Sequence, residues 1–148
     1  MKAPNLDHWF SDRQGRLIAW REWREHLATL SLDDLYVEVA HWWRFVPMVN
    51  KTFDPWRKET WPTAWNLVAG GNFCPSAQGL GIFYSLVLAR IDCELILAVV
   101  DTETKLLVVL PNRKILNYRE GEVVNIENID LQILKIWPPS DMTTLVKL

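Results

Sequence analysis

The chain has 148 residues, of which 49% are hydrophobic and 23% are charged, and its formal net charge is -2. This length and composition are typical of one globular domain with its own core. The small negative charge argues against a dedicated nucleic-acid-binding protein, which would normally be basic.

The first part of the chain has the pattern of helices separated by turn and loop signals. Residues 12–15 indicate a turn, and Ser31 is an N-cap followed by an acidic first turn. On the first helix, Arg21 and Glu25 have the i,i+4 spacing of an ion pair. Apolar stripes, prolines and glycines place helices at 17–30, 32–46 and 62–69, with a loop over 48–61.

The most apolar helical run covers residues 74–89 and begins with Cys74. It is apolar on almost every side, so we expect a central, buried helix. Gly79 and Gly81 would let neighbouring elements approach this helix closely, at some cost in helix propensity. The glycine pair at 70–71 is expected to end the short helix before it.

Short apolar runs separated by turn signals follow the central helix. The runs at 95–100 and 106–110 predict two buried strands of a hairpin, and 115–118 predicts a third strand. Alternation of apolar and polar residues predicts a fourth strand over 131–137.

Helices first and strands second define an α+β protein, in which N-terminal helices and a central helix pack on a mainly antiparallel sheet. We expect a single domain over 1–148. Its parts are a Trp-rich helical part at 1–70, the central helix and sheet at 74–137, and a tail at 138–148 that is either loose or docked on a neighbour.

Tryptophan is the unusual residue of this chain, because there are nine and eight of them lie at or before Trp65. A helical layer with aromatic packing is the simpler interpretation, since Trp buries a large surface and usually needs a partner for its indole N–H. Trp and Arg are also favoured interface anchors, and nine rings are many for one small core. The interface candidates are Trp9, Trp20, Trp23, Arg24, Phe53 and Trp56.

Few other chemistries are indicated. Two cysteines are too few for a disulfide framework and suggest a reducing compartment. The Cys and His spacings do not match a metal site, and we expect neither a metal nor another cofactor. The N-terminus lacks the apolar core of a signal peptide, and no stretch approaches the ~18 apolar residues of a membrane span. We therefore expect no membrane contact.

Cys74 is placed as a nucleophile would be, at a helix start. Amides at a helix N-terminus favour a thiolate, but a cysteine enzyme also needs a base, which is usually a histidine. The three histidines, His8, His26 and His41, all precede Cys74, and only His41 could reach it from the opposite wall. A buried structural or vestigial Cys74 is the preferred interpretation, and Cys93 is expected to be structural.

A known superfamily has the same order of features. Trp61-Pro62, a short helix, the glycine pair, Cys74 at the start of a buried helix and an antiparallel sheet follow one another here. Over residues 60–118 this order resembles the core of the transglutaminase-like (papain-like) superfamily. The family usually has Gly-Asp-Cys where this chain has Asn72-Phe73-Cys74.

The resemblance also implies where catalytic partners would lie. In that superfamily the sheet supplies a His and an Asp to the helix-initiating Cys. The resemblance places the His near Lys105 or Leu106 and the Asp near Asn112 or Asn117. Because none of these side chains can take the expected role, Cys74 alone carries over, and this favours a protein that is not an enzyme.

A second resemblance rests on four aromatic segments. Together they resemble a family of small proteins from tailed bacteriophages: 17–24, 42–43, 61–65 and 80–84. This resemblance implies a non-enzymatic structural or assembly protein of a phage tail, baseplate or neck. It would act in the virion or in the cytoplasm of the infected host, through contacts with other virion proteins or copies of itself.

Other functions stay open. One is a cysteine-dependent hydrolase or acyltransferase that uses Cys74, and another is a phage protein that binds a host protein. Nucleic-acid binding is less favoured, because glutamates dilute the basic residues that would line one side of the first helix with Trp20 and Trp23 between them. Those basic residues are Arg13, Arg16, Arg21 and Arg24.

Overall fold

The computed structural model describes residues 7–146, and over this range the chain has five α-helices and a five-stranded sheet. The helices are α1 (Arg13–Leu27), α2 (Leu32–Arg44), α3 (Ala64–Gly70), α4 (Pro75–Leu88) and α5 (Thr143–Val146). The strands are β1 (Glu94–Val100), β2 (Glu103–Val109), β3 (Lys114–Leu116), β4 (Val123–Asn125) and β5 (Gln132–Trp137). The α+β prediction is confirmed. In this described range no helix is both long and apolar enough to cross a membrane.

The strands form one antiparallel sheet in the order β4-β3-β2-β1-β5. A tight turn joins β1 to β2, and its residues Asp101 and Thr102 both have positive φ, as the mirror-image turns of tight hairpins require. On its other side β1 pairs with β5, with a register shift between Leu97 and Ala98.

Both faces of β1 and β2 are covered. Leu95, Leu97 and Leu106 belong to the main core beneath the helices, while Ile96 and Leu107 belong to a smaller apolar cluster on the opposite face. This double burial explains why these strands are continuous apolar runs in the sequence rather than alternating ones.

The close approach predicted at the α4 glycines is confirmed. A Cβ built on Gly79 would lie 2.2 Å from the Leu106 carbonyl oxygen, and one built on Gly81 would lie 2.3 Å from the Trp43 ring. Because carbon atoms do not approach so closely, α4 can lie this near β2 and α2 only where those residues lack a side chain.

One local prediction was wrong, and one strand was not predicted. Residues 12–15 are not a turn before the first helix, because the Asp12 carboxylate accepts a hydrogen bond from the Gly15 N–H at 2.8 Å and caps α1, which begins at Arg13. Strand β4 was not predicted, since three residues are too few to show a period.

The described part of the tail, residues 138–146, packs on the chain itself. Met142 is fully buried, and the Asp141 carbonyl accepts a hydrogen bond from the Lys58 Nζ at 2.7 Å. The described part of the tail therefore packs on its own chain, and docking on a neighbouring protein stays a prediction.

The helical layer buries most of the tryptophans. Six rings are at most 8% exposed and two are partly buried, while Trp56 is 50% exposed. Trp20 and Trp43 both donate their indole N–H to the Ser85 hydroxyl, at 3.2 and 3.0 Å, and Ser85 donates to the Gly81 carbonyl at 2.9 Å. One buried serine thus satisfies two indoles, and aromatic packing accounts for the tryptophan content.

Candidate active site around Cys74

Cys74 lies at the N-terminus of α4. It is the N-cap residue, and its Sγ accepts a hydrogen bond from the Ala77 N–H at 3.4 Å. The Thr52 Oγ1 lies 3.1 Å from the same sulfur. The thiol is free, and its residue is only 4% exposed and belongs to the main hydrophobic core. The Ala77 N–H and the Thr52 hydroxyl are its polar contacts.

Cys74 also lines a surface cleft of about 490 Å³. The loop before α3 and the start of β2 form its walls. The lining residues are Val49, Asn50, Lys51, Phe53, Pro55, Trp56, Cys74, Pro75, Ser76, Glu103 and Thr104. Lys51, Cys74 and Glu103 are the titratable groups of this lining, which contains no histidine in the part of the chain that the structure describes.

The three histidines have other surroundings. His8 stacks on the Trp42 ring, with centroids 4.7 Å apart, and His41 packs edge-on against Phe45 at 5.3 Å. His26 is exposed in the last turn of α1. His41 is therefore not among the residues that line the Cys74 cleft, and the prediction that it could reach the thiol is wrong.

The start of β2 brings Glu103 and Thr104 to the cleft in place of the positions expected for a histidine. Leu106 is fully buried, and the Lys105 ammonium lies 3.5 Å from the Tyr118 carbonyl, where burial lowers the pKa of this lysine. The cleft contains Glu103 and Thr104 rather than Lys105 or Leu106 because β2 begins at Glu103, and its first two residues lie beside the N-terminus of α4.

Asn117 holds the first turn of α4 against β2. It is buried, has a φ of 72°, and its Nδ2 donates to the Pro75 carbonyl at 3.0 Å and to the Leu106 carbonyl at 2.9 Å. A carboxylate has no N–H to donate, so this position suits an amide and not the expected Asp. Asn112 is exposed, and its Oδ1 accepts a hydrogen bond from the Lys114 N–H at 3.2 Å.

We expect Asn117→Gly to lower the free energy of unfolding by about 1–3 kcal/mol, because two hydrogen bonds to buried carbonyls are lost while glycine tolerates the positive φ. Urea unfolding measures this loss, and Asn72→Gly, at an exposed loop position, is the matched control. Equal effects of the two substitutions would show that the two Asn117 hydrogen bonds contribute nothing to stability.

The aromatic interface candidates divide into two groups, while Arg24 is partly buried and lines a different cavity. Phe53 and Trp56 line the cleft beside Cys74, with Trp56 at its exposed rim. The other rings, Trp9, Trp20 and Trp23, lie in the core, and this burial removes them as surface anchors.

The basic stripe considered for nucleic acid is not formed. The Arg16 guanidinium is turned inward and donates to the Val68 carbonyl at 3.1 Å and also to the Ala69 carbonyl. Trp20 and Trp23, which would have stacked on bases, are buried. A nucleic acid would therefore find neither of the two rings for base stacking, and only three of the four arginines remain for phosphate contacts.

The polar residues near the thiol have no signal in the sequence. Thr52, Lys51, Glu103 and Thr104 are ordinary polar residues of a loop and a strand start, and no spacing signal links them to Cys74. Only the packing of the loop and of β2 against the end of α4 brings them together.

No protein-family model matches the sequence, and no curated protein matches it either. Solved structures of LapG from Legionella pneumophila are similar. The calcium-bound form has a TM-score of 0.71 at 13% identity and covers 86% of this chain and 76% of its own. A further LapG structure has a TM-score of 0.70 at 14% identity, covering 91% and 84%, and the EGTA-treated form has 0.69 at 15%, covering 86% and 74%.

These likenesses show the fold alone. The chain has a transglutaminase-like α+β fold, as the first resemblance implied. None of the comparisons links the chain to phage proteins.

Proposed function

We propose that this chain is a cysteine-dependent hydrolase or acyltransferase that uses Cys74. The observation that carries the proposal is the place of the thiol, at the N-terminus of the buried helix α4 and in the lining of a cleft. The fold shared with LapG supports it. A free thiol at a helix terminus is a common arrangement for a nucleophile.

The chemistry would proceed through a thioester. The Cys74 sulfur attacks the carbonyl carbon of the substrate, and the thiol proton passes to the Glu103 carboxylate. The bond to the leaving group then breaks, and the leaving group takes that proton. Water, or an amine or hydroxyl of a second substrate, attacks the thioester and releases the thiol. Lys51 would offset the charge that develops on the carbonyl oxygen.

Among the described side chains of residues 8–146, no group of three or more His, Cys, Asp or Glu lies together as metal ligands would.

A second candidate function is binding without catalysis, through protein–protein contacts at the same cleft. It is favoured by the lack of a histidine among the described lining residues and by the exposed Trp56 ring at the rim. Assembly into a phage tail, baseplate or neck, self-association and binding of a host protein remain predictions that no comparison supports.

We expect an acyl thioester to acylate Cys74 in the folded protein and to leave Cys93 unmodified. Burial raises the pKa of Cys93 to about 12, so its thiol stays protonated in neutral buffer. Glu103→Gln should slow acylation about 100-fold, because it removes the base. Glu94→Gln, another exposed strand-start carboxylate, should have no effect. Mass spectrometry of the peptides locates and quantifies the adduct.

The controls separate the two functions. Cys74→Ser should abolish the adduct at this position. If Cys74 reacts only after the protein is denatured, the catalytic proposal fails and the non-catalytic cleft takes its place. If Glu103→Gln acylates at the native rate, the assignment of the base is wrong.

A further inference from the structure

We propose that a groove between α1 and the C-terminal end of α4 is a docking site for an acidic segment of a partner protein. Arg21, Arg24 and Arg90 define this arginine groove, and they line a cavity of about 520 Å³ together with Glu25, Ala28, Leu35, Leu88 and Ala89. Its position on the helical layer separates it from the Cys74 cleft, with which it shares no lining residue.

A second cavity adjoins the same two arginines of α1. It has a volume of about 340 Å³ and is lined by Gln14, Leu17, Ile18, Arg21, Arg24 and Trp65. Arg21 and Arg24 line both cavities, so the two cavities adjoin at this pair of arginines. A bound segment could place apolar side chains in both cavities and its carboxylates against the two arginines.

The groove lining has three positive charges and one negative charge, which is Glu25. The structure pairs the exposed Arg57 with Glu59 at 3.3 Å, and none of the three groove arginines forms an ion pair with another side chain that the structure describes. The predicted Arg21–Glu25 pair is not formed. Three arginines, with Glu25 as the lone carboxylate of the lining, therefore leave an excess of positive charge that an acidic partner would complement.

Two aromatic rings pack against the Arg24 guanidinium and fix its position at the groove. Its guanidinium carbon lies 4.3 Å from the Trp20 ring centroid and 5.1 Å from that of Trp65, and its buried Nε has no hydrogen-bond partner among the described residues. Burial lowers the pKa of Arg24, an effect that Glu25 opposes and Arg21 increases. A cation held this way, beside a like charge, would be stabilised by a carboxylate with bidentate geometry.

A protein segment fits this surface better than a nucleic acid. The walls between the arginines are apolar, with Leu35 and Leu88 on one side and Ile18 on the other. A phosphate backbone would need a longer basic stripe, but Arg16 is turned inward and the whole chain has a net charge of -2.

The test uses the full chain and a fluorescein-labelled peptide in which glutamate and leucine alternate, with binding measured by fluorescence anisotropy. The same peptide with glutamine in place of glutamate should bind at least about tenfold more weakly. Arg21→Glu and Arg90→Glu, both at exposed positions, should each weaken binding of the acidic peptide, and the double variant by at least about tenfold. Arg13→Glu makes the same charge change on α1 outside both cavities and should leave the affinity unchanged.

Four outcomes would overturn the proposal. These are equal affinity for the acidic and the glutamine peptides, equal weakening by Arg13→Glu and Arg21→Glu, no binding of the acidic peptide, and tighter binding of an oligothymidylate than of the acidic peptide. Circular dichroism of each variant checks that the fold is retained.

Discussion

The Ser85→Ala variant should lose about 2–5 kcal/mol of its free energy of unfolding. The Ser85 hydroxyl accepts the indole N–H groups of Trp20 and Trp43, and all three residues are fully buried. Alanine leaves both donors without this acceptor, at a site where all three residues are shielded from solvent. Each unsatisfied buried N–H costs roughly 1–3 kcal/mol, and the two penalties fall on a single substitution.

Urea unfolding followed by circular dichroism measures this loss. Ser140→Ala, at an exposed position, should change stability by less than about 0.5 kcal/mol. In a Trp43→Phe background the Ser85→Ala penalty should fall by about 1–3 kcal/mol, because one of the two orphaned donors is already absent. An unchanged penalty in that background would show that the shared hydrogen bonds are not its cause.

Gly79→Ala should destabilise the protein by about 3 kcal/mol, although alanine is the better helix former by about 1 kcal/mol. The new Cβ would lie 2.2 Å from the Leu106 carbonyl oxygen and 3.0 Å from the Asn117 Nδ2. The carbonyl belongs to β2, whose backbone is held by its neighbouring strands, so α4 must move away from the sheet.

Gly70→Ala is the matched control, because a Cβ at this helical position would meet nothing within 4 Å. It should be neutral or stabilising by up to about 1 kcal/mol. Displacement of α4 should also make the Cys74 thiol react faster with iodoacetamide in Gly79→Ala than in Gly70→Ala. Equal stability of the two variants would contradict the close packing of α4 on β2.

The secondary structure could be predicted where its signals are local. Ser31 caps α2 and Cys74 caps α4, and in each case the cap side chain accepts a hydrogen bond from an N–H three residues later. The apolar runs of β1 and β2 also lie within a few residues of one another. Asp12 was misjudged because the same residue type begins turns and caps helices, and its role depends on the conformation of the residues after it.

The candidate site could be predicted only in part. Cys74 stands out because its position at a helix start is visible in the chain itself. Its neighbours Thr52 and Glu103 are far from it in sequence and carry no pattern, so their approach to the thiol depends on how the loop and β2 pack. The positions expected for the His, Lys105 or Leu106, and for the Asp, Asn112 or Asn117, all lie outside the cleft lining. Asn117 instead holds α4 against β2 through two hydrogen bonds.

The sequence by itself determined the α+β class, the buried helix that begins at Cys74 and the two glycines at which neighbours approach it, because periodicity, caps and small residues act over a few positions. Only the tertiary structure decided which tryptophans are buried and which arginines line one groove. Burial of Trp20 and Trp43 depends on one acceptor, Ser85, on a different helix. The charge excess of the groove arises because Arg21 and Arg24 of α1 and Arg90, which follows α4, line one cavity with a single carboxylate, Glu25. Both effects depend on distances in space between residues that lie far apart in the sequence, and no local sequence pattern reports such distances.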